Sequence, residues 1–249
     1  MIRRVRLAGL LGAASCGLIT PAFAQDAGSV TLEVMSEEER RGLSWSEGRA
    51  ALAGDIRGSR GRLDASARAV TLRNSVRHGG ADAVVDLSVG TGWDLGAVRI
   101  RTDATGHAFV GARGRMDYVE AGVSASYAYG PLYATVGVIG APSQRAIGGS
   151  NVHVYANANA GIPGTPFTIL TELGHSSGSV SDPVRAERLR PGGSYTNWRL
   201  GLEHRRDRLT IGVDYVGTDI SRTANATADR FADRRNAGDR IIGRVQVSF

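Results

Sequence analysis

The sequence ends in GRVQVSF, and its alternation runs to the last residue. Val245, Val247 and Phe249 fall on one face of an extended chain, and Arg244, Gln246 and Ser248 on the other. Termini ordinarily fray, so a final residue held in such a pattern calls for a partner strand. The same period of two recurs upstream, and no amphipathic helix of useful length follows residue 25. In LTIGVDYVG, Leu209, Ile211, Val213 and Tyr215 oppose Arg208, Thr210, Gly212 and Asp214. In NWRLGLEH, Trp198, Leu200 and Leu202 oppose Asn197, Arg199, Gly201 and Glu203. About twelve such segments are read, over residues 28–36, 48–58, 61–73, 80–90, 94–104, 115–129, 131–141, 150–161, 165–175, 195–205, 208–219 and 239–249.

Their connections alternate in length. RGSRG, TGW, GP, IPGTP and RRD follow the even segments, and longer polar stretches such as SSGSVSDPVRAERLRPGGS and SRTANATADRFADRRNAG follow the odd ones. One trimmed end, one decorated end and both termini at the trimmed end make the plan of a bacterial outer-membrane barrel. In hydrocarbon every backbone group must pair, so a spanning sheet closes on itself and the last strand meets the first. The fold class expected is therefore all-β: a closed antiparallel up-and-down transmembrane β-barrel of about 12 strands. A soluble all-β carrier, its apolar faces turned inward, is the rival. Val245, Val247 and Phe249 also resemble the C-terminal signal read by the barrel-insertion machinery.

Composition narrows the function classes. No run after the N-terminus approaches the ~20 apolar residues of a membrane helix, and the 34 Gly lack a period of three. The basic residues are all Arg, scattered among acids rather than clustered, so no nucleic acid partner is expected. Residues 1–24 read as a secretory signal peptide: Arg3, Arg4 and Arg6, an apolar stretch from Leu7 to Thr20, then Ala22 and Ala24 at the cleavage positions. Cleavage is expected between Ala24 and Gln25, leaving 25–249 as a single barrel domain. It removes Cys16, the only cysteine, and with it any thiol or Cys-metal chemistry. A membrane anchor and acylation at Cys16 are weaker readings of the same stretch.

If the apolar faces meet lipid, the opposite faces line a lumen. Candidate pore-lining residues are Glu33, Asp86, Arg99, Arg101, Glu120, His153, Arg199, Glu203, Asp214 and Arg244, charges of both signs that are tolerable beside water but not beside lipid. A two-residue turn at Arg206 and Asp207 would set Arg199 opposite Asp214. Trp93, Tyr127, Tyr129, Phe167 and Phe249 are expected to ring the trimmed end, and Trp45, Tyr195 and Tyr215 the decorated end. His175, Ser176 and Ser177 fall in a Gly/Ser-rich loop, and His78 and His107 also read as loop residues. No nucleophile–base–orienter set or metal spacing emerges, so no enzyme and no cofactor are expected.

The stretch SEEERRGLSWSEGRAALAGDI resembles the opening motif of the TorF-type porin family. Ser36, Arg41, Gly42, Ser44, Gly48, Ala51, Leu52 and Gly54 match; Glu37 stands where Asp is usual, Glu38 replaces Tyr, Ala50 Pro and Ala53 Gln. VVDLSVG, MDYVEAGVSASY and TNWRLGLEHRRDRLTIGVDYVGTD resemble the family's later strands in order. The resemblance implies a membrane barrel and passive solute transport, and assigns no role to the motif residues.

The expected protein is a monomeric barrel in the outer membrane of a Gram-negative bacterium, passing small polar solutes by diffusion. A closed-lumen structural or surface-binding barrel, whose Arg/Asp-rich loops bridge lipopolysaccharide phosphates, is the second reading. An outer-membrane hydrolase is the third.

Overall fold

The computed structural model describes residues 27–221 and 231–249; the expected leader with its Ala24–Gln25 junction lies outside the described residues. Twelve strands form one closed antiparallel barrel: β1 Ala27–Met35, β2 Ala51–Arg60, β3 Leu63–Ser75, β4 Ala81–Leu95, β5 Val98–Val110, β6 Tyr118–Tyr129, β7 Leu132–Gln144, β8 Gly149–Gly161, β9 Phe167–Ser177, β10 Tyr195–Arg206, β11 Leu209–Thr218 and β12 Arg240–Ser248. Each strand pairs with its sequence neighbours, and β1 closes on β12 with Leu32 opposite Val247 and Val34 opposite Val245. Phe249 is tied down as its pattern requires: its N–H donates to the Val30 carbonyl at 2.8 Å.

The apolar faces point outward. Leu32, Ile56, Leu87, Val89, Leu173, Leu200 and Val213 are exposed, while Thr31, Asp55, Asp86, Asn197 and Asp214 from the same strands are buried inside. A belt of exposed Leu, Val and Ile on every strand is what lipid solvates and water does not, so the inverted arrangement of a soluble carrier is excluded. Among the described residues no helix is long and apolar enough to cross a membrane.

One end carries tight turns at 61–62, 96–97, 130–131, 162–166 and 207–208; the other carries the segments 36–50, 111–117 and 178–194, with 219–221 and 231–239. The alternation is less strict than the sequence suggests, since 76–80 and 145–148 at the loop end are also short. TGW is not a turn. β4 runs through it to Leu95 because Gly90 and Gly92 face inward and make room for arginines: a Cβ on Gly92 would lie 2.9 Å from Arg99 Nη2. The turn after β10 is Asp207–Arg208, so Arg199 stands opposite Val216 and Asp214 opposite Gly201. Arg199 still reaches Asp214 diagonally, at 3.8 Å.

The aromatic ring expected at the tight-turn end is present: Trp93, Tyr127, Tyr129, Phe167 and Phe249 are all exposed there. At the loop end only Tyr215 is exposed. Trp45 and Tyr195 are buried inside the barrel, because the segment carrying Trp45 folds inward.

Candidate functional site

The inward-folded segment lies within the stretch SEEERRGLSWSEGRAALAGDI. Glu39–Arg40 and Leu43–Ser44 pair as a small antiparallel ladder around a turn at Arg41 and Gly42, both at positive φ, as tight hairpin turns demand. Gly42 is required twice over: its φ is 77°, and a Cβ would run into the Thr218 methyl and lie 2.8 Å from the Asn197 Cβ. The ends are fixed by serines. Ser36 Oγ accepts from the Gly243 N–H at 3.1 Å, Ser44 Oγ from Gly48 N–H at 2.8 Å, and Ser46 Oγ from Glu38 N–H at 2.9 Å.

The hairpin crosses the lumen, and each of its five consecutive charges meets an opposite charge on a different strand. Glu37 pairs with Arg240 of β12. Glu38 holds Arg68 of β3 at 2.7 Å. Glu39 holds Arg199 of β10 at 2.8 Å. Arg40 reaches Asp86 of β4 and Arg41 reaches Glu120 of β6, both at 2.6 Å. Backbone groups add to this: the Tyr195 hydroxyl donates to the Arg41 carbonyl at 2.9 Å and Arg240 Nη1 to the Gly42 carbonyl at 3.0 Å. Trp45 packs against Arg40, whose guanidinium lies 4.1 Å from the ring centroid, and against His78, tilted at 4.3 Å.

All ten sequence-derived pore-lining candidates stand on inward-facing positions, but they divide by depth. Around the hairpin, Asp214 is fully buried between Arg244 (2.9 Å) and Arg199, and Arg244 continues to Glu203 at 2.6 Å. Glu33 lies 3.4 Å from Arg68, and His153 is buried against Ser176 Oγ at 3.0 Å. Towards the tight-turn end the pairs open to water. Arg101 and Asp64, which are bonded, are 33% and 31% exposed, and Arg99 and Asp94 at the rim 44% and 57%. The lumen is therefore a charged vestibule at the tight-turn end, filled at the loop end by the hairpin.

The loops seal the loop end. Arg77 Nη1 donates to the Arg188 carbonyl at 2.9 Å, Arg188 Nη1 to the Met116 and Ala146 carbonyls at 2.6 and 3.1 Å, and Arg190 to the carbonyls of Gly178, Ser150 and Ser179. Burial holds the Arg77 and Arg188 guanidinium groups down to about 10, still protonated at neutral pH.

Two histidines expected in loops stand in strands, and a third keeps its place in a connection but is buried. His107 is inside β5, not in a loop, with Nδ1 2.7 Å from Asp86 and Nε2 3.4 Å from Glu120. Its strand was hard to extend from sequence because the outward partners there are Ala104, Gly106 and Ala108. His78 lies in the short turn Val76–His78 but is fully buried. His175, Ser176 and Ser177 end β9 rather than occupying a loop: His175 faces outward, 3.2 Å from Thr196 Oγ1, and Ser176 faces inward. Strand geometry thus separates this Ser from that His. Among the described residues no group of His, Cys, Asp and Glu could hold a metal ion.

The hairpin predicts a sharp response to one methyl group. Gly42→Ala is expected to unseat it, seen as protease cleavage within 36–50 while the barrel keeps its heat-modifiable gel mobility. Protection equal to the wild type would place Gly42 outside the seat.

Comparison with known proteins agrees with this architecture. A model of the family described as a bacterial protein of unknown function (Gcw_chp) matches residues 25–249, and the chain belongs to that family. No curated protein matches the sequence. Among solved structures, the KdgM porin is 9% identical with a TM-score of 0.58, covering 89% of this chain and 99% of that one. The COG4313 outer membrane channel from Pseudomonas putida F1 is 10% identical with a TM-score of 0.52, covering 93% of this chain and 100% of that one. At such identities the likeness is one of fold.

Proposed function

We propose that this family member is an outer-membrane porin-type barrel for small polar solutes, its passage held shut by its own hairpin in the conformation described. The observation that carries the reading is the depth profile of the lumen. Charged pairs are water-accessible at the tight-turn end and sealed at the loop end by a segment that contributes no strand to the barrel. A permanently filled barrel of this purpose would need neither a twelve-strand circumference nor a charged wall. The fold shared with the KdgM porin and the COG4313 channel supports the reading, as does the TorF-type porin resemblance of the opening motif. The tight turns would face the periplasm and the long loops the exterior. Mixed charge on the wall favours polar solutes without strong ion selectivity, and no catalytic role is assigned.

The seated hairpin also favours a second reading, a closed-lumen barrel acting through its outer loops. Planar bilayers separate the two. The porin reading expects discrete openings of the wild-type barrel, brief and infrequent. Silence of both the wild type and a hairpin-free variant leaves the closed barrel standing.

A further inference from the structure

The turn Val76–His78 stands between the hairpin and the loop 178–194. Arg77 Nε donates to the Ser44 carbonyl of the hairpin at 3.0 Å. His78 stacks on Phe109 at 4.6 Å, and its ring centroid lies 4.3 Å from that of Trp45 of the hairpin. Its Nδ1 lies 3.1 Å from Arg188 Nε. A guanidinium only donates, so Nδ1 carries no proton while this contact stands. The charged or titratable groups that act most strongly on His78 are Arg188 of the loop, Arg77 of its own turn, Arg40 of the hairpin and His107 of β5. Burial first, then the charge of Arg188, Arg77 and Arg40, holds this imidazole well below its ordinary range.

We infer that His78 is a proton-operated latch on the hairpin: protonation of Nδ1 ends the bond from Arg188, sets two cations against each other beneath Trp45, and releases the hairpin from the lumen. The seated state binds no proton at His78. The released state, its ring in water, binds one below about pH 6.5. The ratio of seated to released molecules is therefore unaffected above that pH and falls about tenfold per unit below it. His107 stands between Asp86 and Glu120, 2.7 and 3.4 Å away, and makes no bond to Arg188. The consequence for permeation rests on the porin reading; the latch itself does not.

The test uses the whole barrel in lipid, with Trp93→Phe and Trp198→Phe leaving Trp45 as the reporter, and bilayer conductance recorded alongside. Between about pH 7.5 and about pH 5, across the ordinary histidine range, Trp45 emission is expected to shift to the red and open probability to rise. Both are expected to stay flat in His78→Asn and His78→Gln, whose side-chain oxygens accept without titrating. His107→Gln is expected to keep the response. A wild type that shows no Trp45 shift, or the same shift in both His78 variants, overturns the latch. A Trp45 shift without conductance at any pH upholds the latch and refutes the porin reading.

Discussion

Replacing residues 38–47 with a short Gly/Ser turn is expected to convert rare, brief openings into a steady channel, with time-averaged conductance up by on the order of tenfold or more. Twelve strands enclose a lumen wider than the eight-stranded kind that side chains fill, and narrower than the large porins. In this barrel the difference is taken up by the hairpin, whose charges bridge β3, β4, β6, β10 and β12. Its replacement leaves Arg68, Arg199, Asp86 and Glu120 without those partners, while Glu37 stays in place beside Arg240, and it does so in a lumen that water has entered. Their cost is then far below the roughly 3–5 kcal/mol of an ion pair broken in a dry interior, and the barrel is expected to fold. Single-channel recording checks the result. A folded deletion variant that stays silent would mean that the wall closes without the hairpin.

The strand plan was legible because alternation is a local signal that burial on one face enforces. β11 is the clearest case: Leu209, Ile211, Val213 and Tyr215 all emerge on the lipid side. Register was less legible. RRDR accommodates a turn at 206–207 or at 207–208, and Asp207 adopts the positive φ of the second; that one-residue choice moves every facing partner by two. Glycines misled where they serve side chains rather than turns, as Gly90 and Gly92 do beneath Arg101 and Arg99.

The site was half visible. The inward charges could be named from strand parity, but not the segment that satisfies them. EEERR reads as a solvated loop when taken alone, and its partners are spread over five strands distant in sequence. Two signals pointed inward without being decisive: a tryptophan in a polar connection, and Arg41–Gly42 at the centre of the motif. In the folded chain Gly42 permits the close approach and Arg41 spans to Glu120, which gives the motif a physical role that its sequence resemblance did not supply.

The orientation on which all of this depends predicts opposite outcomes at two adjacent residues. Leu87 and Ser88 occupy the middle of β4; Leu87 is 60% exposed on the outer face, and the Ser88 hydroxyl bonds Thr105 Oγ1 at 2.8 Å inside. Leu87→Arg is expected to destabilise the barrel by roughly 2–4 kcal/mol, the cost of a guanidinium near the bilayer midplane. Ser88→Arg, facing water in the lumen, is expected to lose about 1 kcal/mol, the worth of one hydroxyl hydrogen bond. Urea titration of folding into lipid vesicles measures both. In water the order would invert, because an exposed Leu→Arg change is then nearly neutral and only the Ser88 contact is lost. Equal costs, or a tolerated arginine at 87, would turn the apolar belt away from lipid and take the lumen, its vestibule and the hairpin seat with it.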